Sequence, residues 1–205
     1  DNVDLIINHL KVHDTNHHSN EDYYYDQRLE FNRGLDSRYE TAALLIYLNK
    51  TCFNGLYREN SKGEFNVPKG RTSSGKVTIC DEENLRNCSA TFKNIEFGCH
   101  SYGDILPKLD SDSFIYLDPP YIPINDVSFT KYAKDDFTKQ MHFDLKNFCD
   151  KLTDIGSKFM MSNSGTPITK EIYDGYHMKE ILVNRSLGSK SATRKKANEL
   201  IVTNY

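Results

Sequence analysis

Apolar and polar positions change their spacing about midway along the chain. In the first half, apolar residues recur at helical intervals. Residues 2–13 set Leu5, Ile6, Leu10 and His13 near one face, which predicts an amphipathic helix. Residues 14–22 are polar and read as a solvated loop. The pair His17-His18 lies there without a nearby third ligand, so no metal site is expected. The aromatic and charged residues 23–38 open a helical lobe, and residues 39–50, with Ala42, Ala43, Leu45, Ile46 and Leu48, form the clearest helix. Residues 51–71 read as a hairpin or an ordered loop turning at Ser61-Lys62-Gly63. A Ser/Gly-rich loop follows over 72–76. A short helix over 81–91 then carries acids in its first turn, where the helix dipole favours them.

The second half alternates short apolar runs with helical ones. Strands are predicted over 94–99, 113–117, 158–162, 177–184 and 199–204. A loop over 122–134 is long enough to close over a site. A helix over 135–155 places Met141, Leu145, Phe148 and Leu152 on one face and stops at Gly156; another begins at Pro167 and runs to 173. This alternation predicts a three-layer α/β sheet with a closing antiparallel pair. Residues 20–92 lack it and read as a helical insertion carrying a β-hairpin. Three regions follow: 1–19, 20–92 and 93–205.

Composition narrows the partners. The 205 residues suffice for one domain with an inserted lobe. No apolar run approaches the length of a membrane span and no signal peptide is visible, so no membrane partner is expected. The first residue is Asp1 rather than Met, which suggests a fragment, a processed chain or the ordered part of one. Five irregularly spaced cysteines, Cys52, Cys80, Cys88, Cys99 and Cys149, read as free thiols in a reducing cytoplasm. The formal charge of −3 conceals two basic segments. Residues 54–77 carry Arg58, Lys62, Lys69, Arg71 and Lys76 against Glu59 and Glu64. Residues 185–196 carry Arg185, Lys190, Arg194, Lys195 and Lys196 with no acid. Such segments on an acidic body suit local polyanion contacts, although basic loops are often simply solvated. Aromatic, amide and guanidinium groups interleaved around Phe53, Asn54, Arg58 and Asn60 are what reading base edges requires; a surface hairpin is the plainer alternative.

The chemistry concentrates at Ser113-Phe114-Ile115-Tyr116-Leu117-Asp118-Pro119-Pro120-Tyr121. A buried strand ends at two prolines, which leave a ladder because they donate no hydrogen bond. The carboxyl end of such a strand is where open α/β sheets hold ligands. One reading is a strand ending in a turn, with Tyr121 packed on the surface. The other gives each residue a task. An exocyclic amine on a purine or pyrimidine is a poor nucleophile because its lone pair is delocalised. The Asp118 carboxylate and the Pro119 carbonyl, both accepting from that amine, would favour a tetrahedral nitrogen. Pro120 would keep the carbonyl aimed and Tyr121 would stack on the base.

Asp118-Pro119-Pro120-Tyr121, together with Asn54-Gly55-Leu56-Tyr57-Arg58 and Gly63-Glu64-Phe65-Asn66-Val67-Pro68, resembles the Dam-type DNA adenine methyltransferases, the D12 class of N6-adenine enzymes. The run Ile201-Val202-Thr203-Asn204-Tyr205 is similar to the end of that family's catalytic domain. The resemblance implies a Rossmann-like sheet using S-adenosylmethionine, a target-recognition domain over 20–92, and catalytic parts over 1–19 and 93–205. It implies methylation at N6 of an adenine flipped from double-stranded DNA, with GATC as the expected site and a cytoplasmic monomer as the expected form. Asp118, Pro119, Pro120 and Tyr121 match the catalytic motif, with Asp118 also lining the cofactor site. Phe53 and Asn54 match residues that wedge into the opened duplex. Arg58 matches an arginine reading a guanine, a contact that discriminates by about 1–3 kcal/mol. Pro68 matches a contact to a thymine methyl, while Lys69 and Arg71 lie near phosphates.

The family's Gly-rich cofactor loop, a ribose-binding acid and a lysine would precede Asp1, so the expectation is an N-terminally truncated sheet. Two other readings stay open. One is a non-catalytic DNA-binding fragment; the other is an amino-methyltransferase acting on cytosine N4 or on RNA. The residues do not choose between a solitary enzyme and a restriction–modification partner.

Overall fold

The computed structural model describes residues 2–20, 22–71, 77–122, 137–184 and 196–205. Contacts group the chain into two compact units, Asp1–Phe97 and Gly98–Tyr205. The first holds α1 (Val3–Ser19), α2 (Tyr23–Arg33), α3 (Arg38–Thr51) and α4 (Glu82–Phe92). Helix α1 continues through residues 14–19, where a loop was expected. Its inner face passes from buried Ile7 and Leu10 to His13 and His17 at helical spacing. Those histidines have tertiary partners. The His13 ring stacks on Tyr47 at 4.8 Å, and its Nδ1 lies 2.9 Å from the Tyr23 hydroxyl. His17 Nδ1 lies 3.0 Å from the Tyr47 hydroxyl. A stretch that reads as polar is helical because aromatic hydroxyls receive it. Leu5, expected on the inner face, is exposed, and Ile7 takes that place.

Helix α3 starts at a Ser37 cap, whose hydroxyl accepts from Glu40 N–H, and it buries Ala43, Leu44, Tyr47, Leu48 and Thr51. Helix α4 starts at Asp81, which accepts from Asn84 N–H. The strand expected over 94–99 is not formed. Ile95 N–H turns back to the Phe92 carbonyl, and Phe97 meets the edge of the Phe92 ring while staying exposed. Among the described residues no strand pairs with this stretch, and without a ladder its apolar residues do not hold an extended form.

The second unit is a mixed sheet of β1 (Phe114–Leu117), β2 (Lys158–Ser164), β3 (His177–Asn184) and β4 (Lys196–Thr203), in the order β1-β2-β4-β3. β1 runs parallel to β2, and β4 lies between β2 and β3, antiparallel to both. α5 (Lys139–Asp154) and α6 (Pro167–Ile172) pack on one face, where Leu145, Phe148 and Leu152 meet Phe159, Met161 and Val202. The opposite face shows Phe114 and Tyr116, both more than half exposed. Of the three layers expected, two are present among the described residues. β2 extends two residues beyond its expected end, because Asn163 and Ser164 pair with Leu200 and Glu199 of β4. The α/β class expected from the pattern is observed; of the loop expected over 122–134, residues 123–134 lie outside the described residues.

Candidate functional site

Strand pairing places the Asp118 side chain. Leu117 pairs with Met161, so the next step along the parallel register sets Asp118 beside Ser162 on the same face. The Ser162 hydroxyl donates to Asp118 Oδ1 at 2.8 Å, and the Tyr116 hydroxyl donates to Ser162 Oγ at 3.1 Å. Asp118 and Pro120 are exposed, while Pro119 and Tyr121 are half-buried. The tip of β1 is therefore open, with the carboxylate and the ring in the same short segment. The Tyr121 hydroxyl donates to Glu199 Oε2 at 3.4 Å. Burial pushes its phenol above the ordinary value of 10; the Ser162 hydroxyl opposes this, and the Glu199 and Asp118 carboxylates add to it. Tyr121 thus offers a neutral aromatic ring at physiological pH.

Sequence reasoning missed the residues that hold this segment. Asn163 Oδ1 accepts from Ile122 N–H at 3.1 Å, and the Ser164 hydroxyl donates to the Ile122 carbonyl at 2.5 Å. Ser162, Asn163 and Ser164 are all buried. The available signal was a polar triplet directly after an apolar strand run, since buried polar groups need partners.

In the first unit, residues 51–71 form two antiparallel arms joined by isolated bridges, Cys52–Lys69 and Glu59–Phe65, rather than a continuous ladder. Helix α2 holds the second arm. Tyr24 and Arg28 donate to the Val67 carbonyl at 2.8 and 3.1 Å, and Asn32 both donates to and accepts from the Phe65 backbone at 3.0 and 2.8 Å. Phe65 and Val67 consequently point inward, while Pro68 is exposed. Gly70 is required where this arm crosses the end of α3: a Cβ there would lie 2.5 Å from the Cys52 carbonyl oxygen.

Phe53 is 44% exposed, and the next residue, Asn54, adopts a left-handed conformation at φ 56°, which asparagine tolerates better than most side chains. Phe53, Asn54, Lys69 and Arg71 line one cleft of about 850 Å³ together with His17, His18 and Lys50. Burial lowers the His17 pKa, and the nearby Lys69 and His18 lower it further. Arg58 and Pro68 stand exposed outside that cleft. Arg58 Nε donates to Asn66 Oδ1 at 2.7 Å, which sets the plane of its guanidinium. The Asn60 amide is engaged within the turn: its oxygen accepts from Lys62 and Glu64 N–H, and its nitrogen donates to the Glu64 carboxylate. Lys190, Arg194 and Lys195 lie outside the described residues. Among the described residues no cluster of His, Cys, Asp or Glu could hold a metal, and no helix is long and apolar enough to cross a membrane.

An open carboxylate and ring stand at the carboxyl end of a parallel strand of this α/β unit, the edge at which open α/β sheets hold ligands. The chain belongs to the D12 class N6 adenine-specific DNA methyltransferase family, whose pattern it matches over residues 1–187. It is 41% identical over 189 residues to the Type II methyltransferase M.MjaIII of Methanocaldococcus jannaschii, covering 90% of this chain and 65% of that protein. Identity to the Type II methyltransferase M1.LlaDCHI of Lactococcus lactis subsp. cremoris is 35% over 209 residues, covering 99% and 71%. With the DNA adenine methylase of Escherichia coli K12 it is 36% over 179 residues, covering 87% and 63%. The chain thus spans about two thirds of the length of these relatives.

Proposed function

We propose that the full-length protein methylates N6 of an adenine extruded from double-stranded DNA, using S-adenosylmethionine, with GATC as the target sequence. The observation that carries this reading is the open tip of β1. Asp118 is exposed, one of its carboxylate oxygens is held by Ser162, and the other accepts no hydrogen bond among the described residues. Asp118 Oδ2 and the Pro119 carbonyl accept from the two amino hydrogens and localise the nitrogen lone pair. Tyr121 stacks on the adenine, and Pro120 restricts the backbone between them. Extrusion costs a few kcal/mol, and an exposed wedge such as Phe53, supported by Asn54, offsets part of that cost.

Arg58 reads a guanine, Pro68 touches a thymine methyl, and Lys69 and Arg71 contact phosphates. Asn60 acts through the turn it closes, and Lys190, Arg194 and Lys195 supply further phosphate contacts. In this reading residues 20–92 recognise the target, and residues 1–19 and 93–205 serve catalysis in a protein that acts as a monomer. An open carboxylate also suits the neighbourhood of a positively charged sulfonium, so Asp118 fits one edge of a donor site. S-adenosylmethionine, when bound, supplies an electrophilic methyl group. The relatives named Type II methyltransferases favour a restriction–modification setting.

The test is incubation of the full-length protein with duplex DNA and methyl-labelled S-adenosylmethionine, followed by nucleoside analysis. Label in N6-methyladenine, concentrated at GATC over single-mismatch sites, is the expected result. Label in cytosine, or DNA binding with no affinity for S-adenosylmethionine, overturns it.

A further inference from the structure

β2 ends in three polar residues, Ser162, Asn163 and Ser164, exposed by only 4%, 0% and 1%. Polar atoms buried at a strand end need partners, and these reach the segment from Asp118 to Ile122. Asn163 and Ser164 hold both backbone polar groups of Ile122 and so anchor the far end of the motif. Ser162 acts on the near end. Its Oγ accepts from the Tyr116 hydroxyl at 3.1 Å, which commits its own proton to Asp118 Oδ1 at 2.8 Å. Two hydroxyl dipoles in series therefore point at one carboxylate oxygen, and each strengthens the other.

The terminal torsion of an aspartate is broad and roughly two-fold, so an untethered carboxylate samples many planes. A bond to Oδ1 selects one plane and leaves Oδ2 free in a defined direction. We propose that Ser162 is a positioning residue for the amino-group grip, fixing the Asp118 carboxylate so that Oδ2 faces the exocyclic nitrogen. This rests on the functional reading above and adds a residue that carries no part of the recognition motif.

Two measurements on the full-length protein test it: the single-turnover methylation rate, and the binding preference for a duplex with adenine over one with purine, which lacks the amine, at the target base. Ser162→Ala should slow the single-turnover rate about 10- to 100-fold and erode the adenine preference, as expected when a reacting group is misplaced by a fraction of an ångström. Affinity for non-target duplex should stay unchanged. Ser162→Thr keeps the hydroxyl and should recover most of the rate and preference. Tyr116→Phe should lose less than Ser162→Ala.

A Ser162→Ala protein with the parent's rate and preference overturns the proposal. So does Ser162→Thr falling as far as Ser162→Ala while both melt at the parent's temperature. A parent protein that neither methylates adenine nor distinguishes it from purine overturns the functional reading itself, a result visible before any variant is compared.

Discussion

The helical unit centres on tyrosines. Tyr24 and Tyr47 are fully buried, and their hydroxyls bond the Val67 carbonyl and His17. The core of the sheet unit is mainly aliphatic and phenyl, with Phe159, Met161, Leu152 and Val202 fully buried on one face. The two units also display their exposed groups differently. In the first, Phe53, Arg58 and Pro68 project from irregular arms that helix side chains hold by the backbone. In the second, Asp118 projects from a strand whose register sets its position to within one residue. A surface held by side-chain bonds can change its contacts at modest cost to the core, which suits sequence reading. In the proposed reaction the carboxylate meets one nitrogen, and a ladder places such a group better.

The contrast can be broken in stages. The largest effect is expected from Asp118→Ala. It should slow methyl transfer by about 10²–10³-fold or more, while specific duplex binding, read by titration, stays near the parent's. Near-normal turnover would remove the sheet unit from the chemistry. Asn32→Ala leaves both backbone polar groups of Phe65 without their partner and should cost about 2 kcal/mol of stability by denaturant unfolding, with weakened site discrimination. If stability holds, the arms do not depend on α2.

Arg58→Ala should cut discrimination between GATC and single-mismatch duplexes by about tenfold without altering the fold. Unchanged discrimination would assign base reading elsewhere.

A smaller effect compares the two units directly, because each encloses a histidine. Burial, with His9 adding, lowers the His13 pKa from 6.5 to about 4, and burial lowers that of His142 to about 4. Above pH 6.5 both rings are neutral, folded or unfolded. As pH falls from 6.5 toward 4, the unfolded chain binds protons that the folded chain refuses. Stability should therefore decline across that window and level off below it. Melting curves from pH 7.5 to 4.5 should show a shallower decline for both His13→Phe and His142→Leu. A decline as steep as the parent's in both variants would move the effect to other groups.

Much of the second unit was legible from apolar spacing. The strand at 114–117, helix α5 and the closing antiparallel pair follow from periods of two and 3.6, and the end of that strand follows from the prolines after Asp118. Residues 14–19 and 94–99 were misread for one shared reason. Local pattern reports neither the tyrosines that receive the histidines of α1 nor the lack of a strand to pair with Ile95 and Phe97. That the Asn60 amide closes a turn is likewise a fact that local pattern does not report.

The order of residues by itself determined the alternation of elements, the proline-ended strand and the aromatic and basic side chains available for recognition. Only the tertiary structure decided that Ser162, Asn163 and Ser164 grip the tip, because a hydrogen bond between strands depends on register. Register arises from packing residues far apart in the chain: Asp118 and Ser162 become neighbours only once Leu117 lies against Met161.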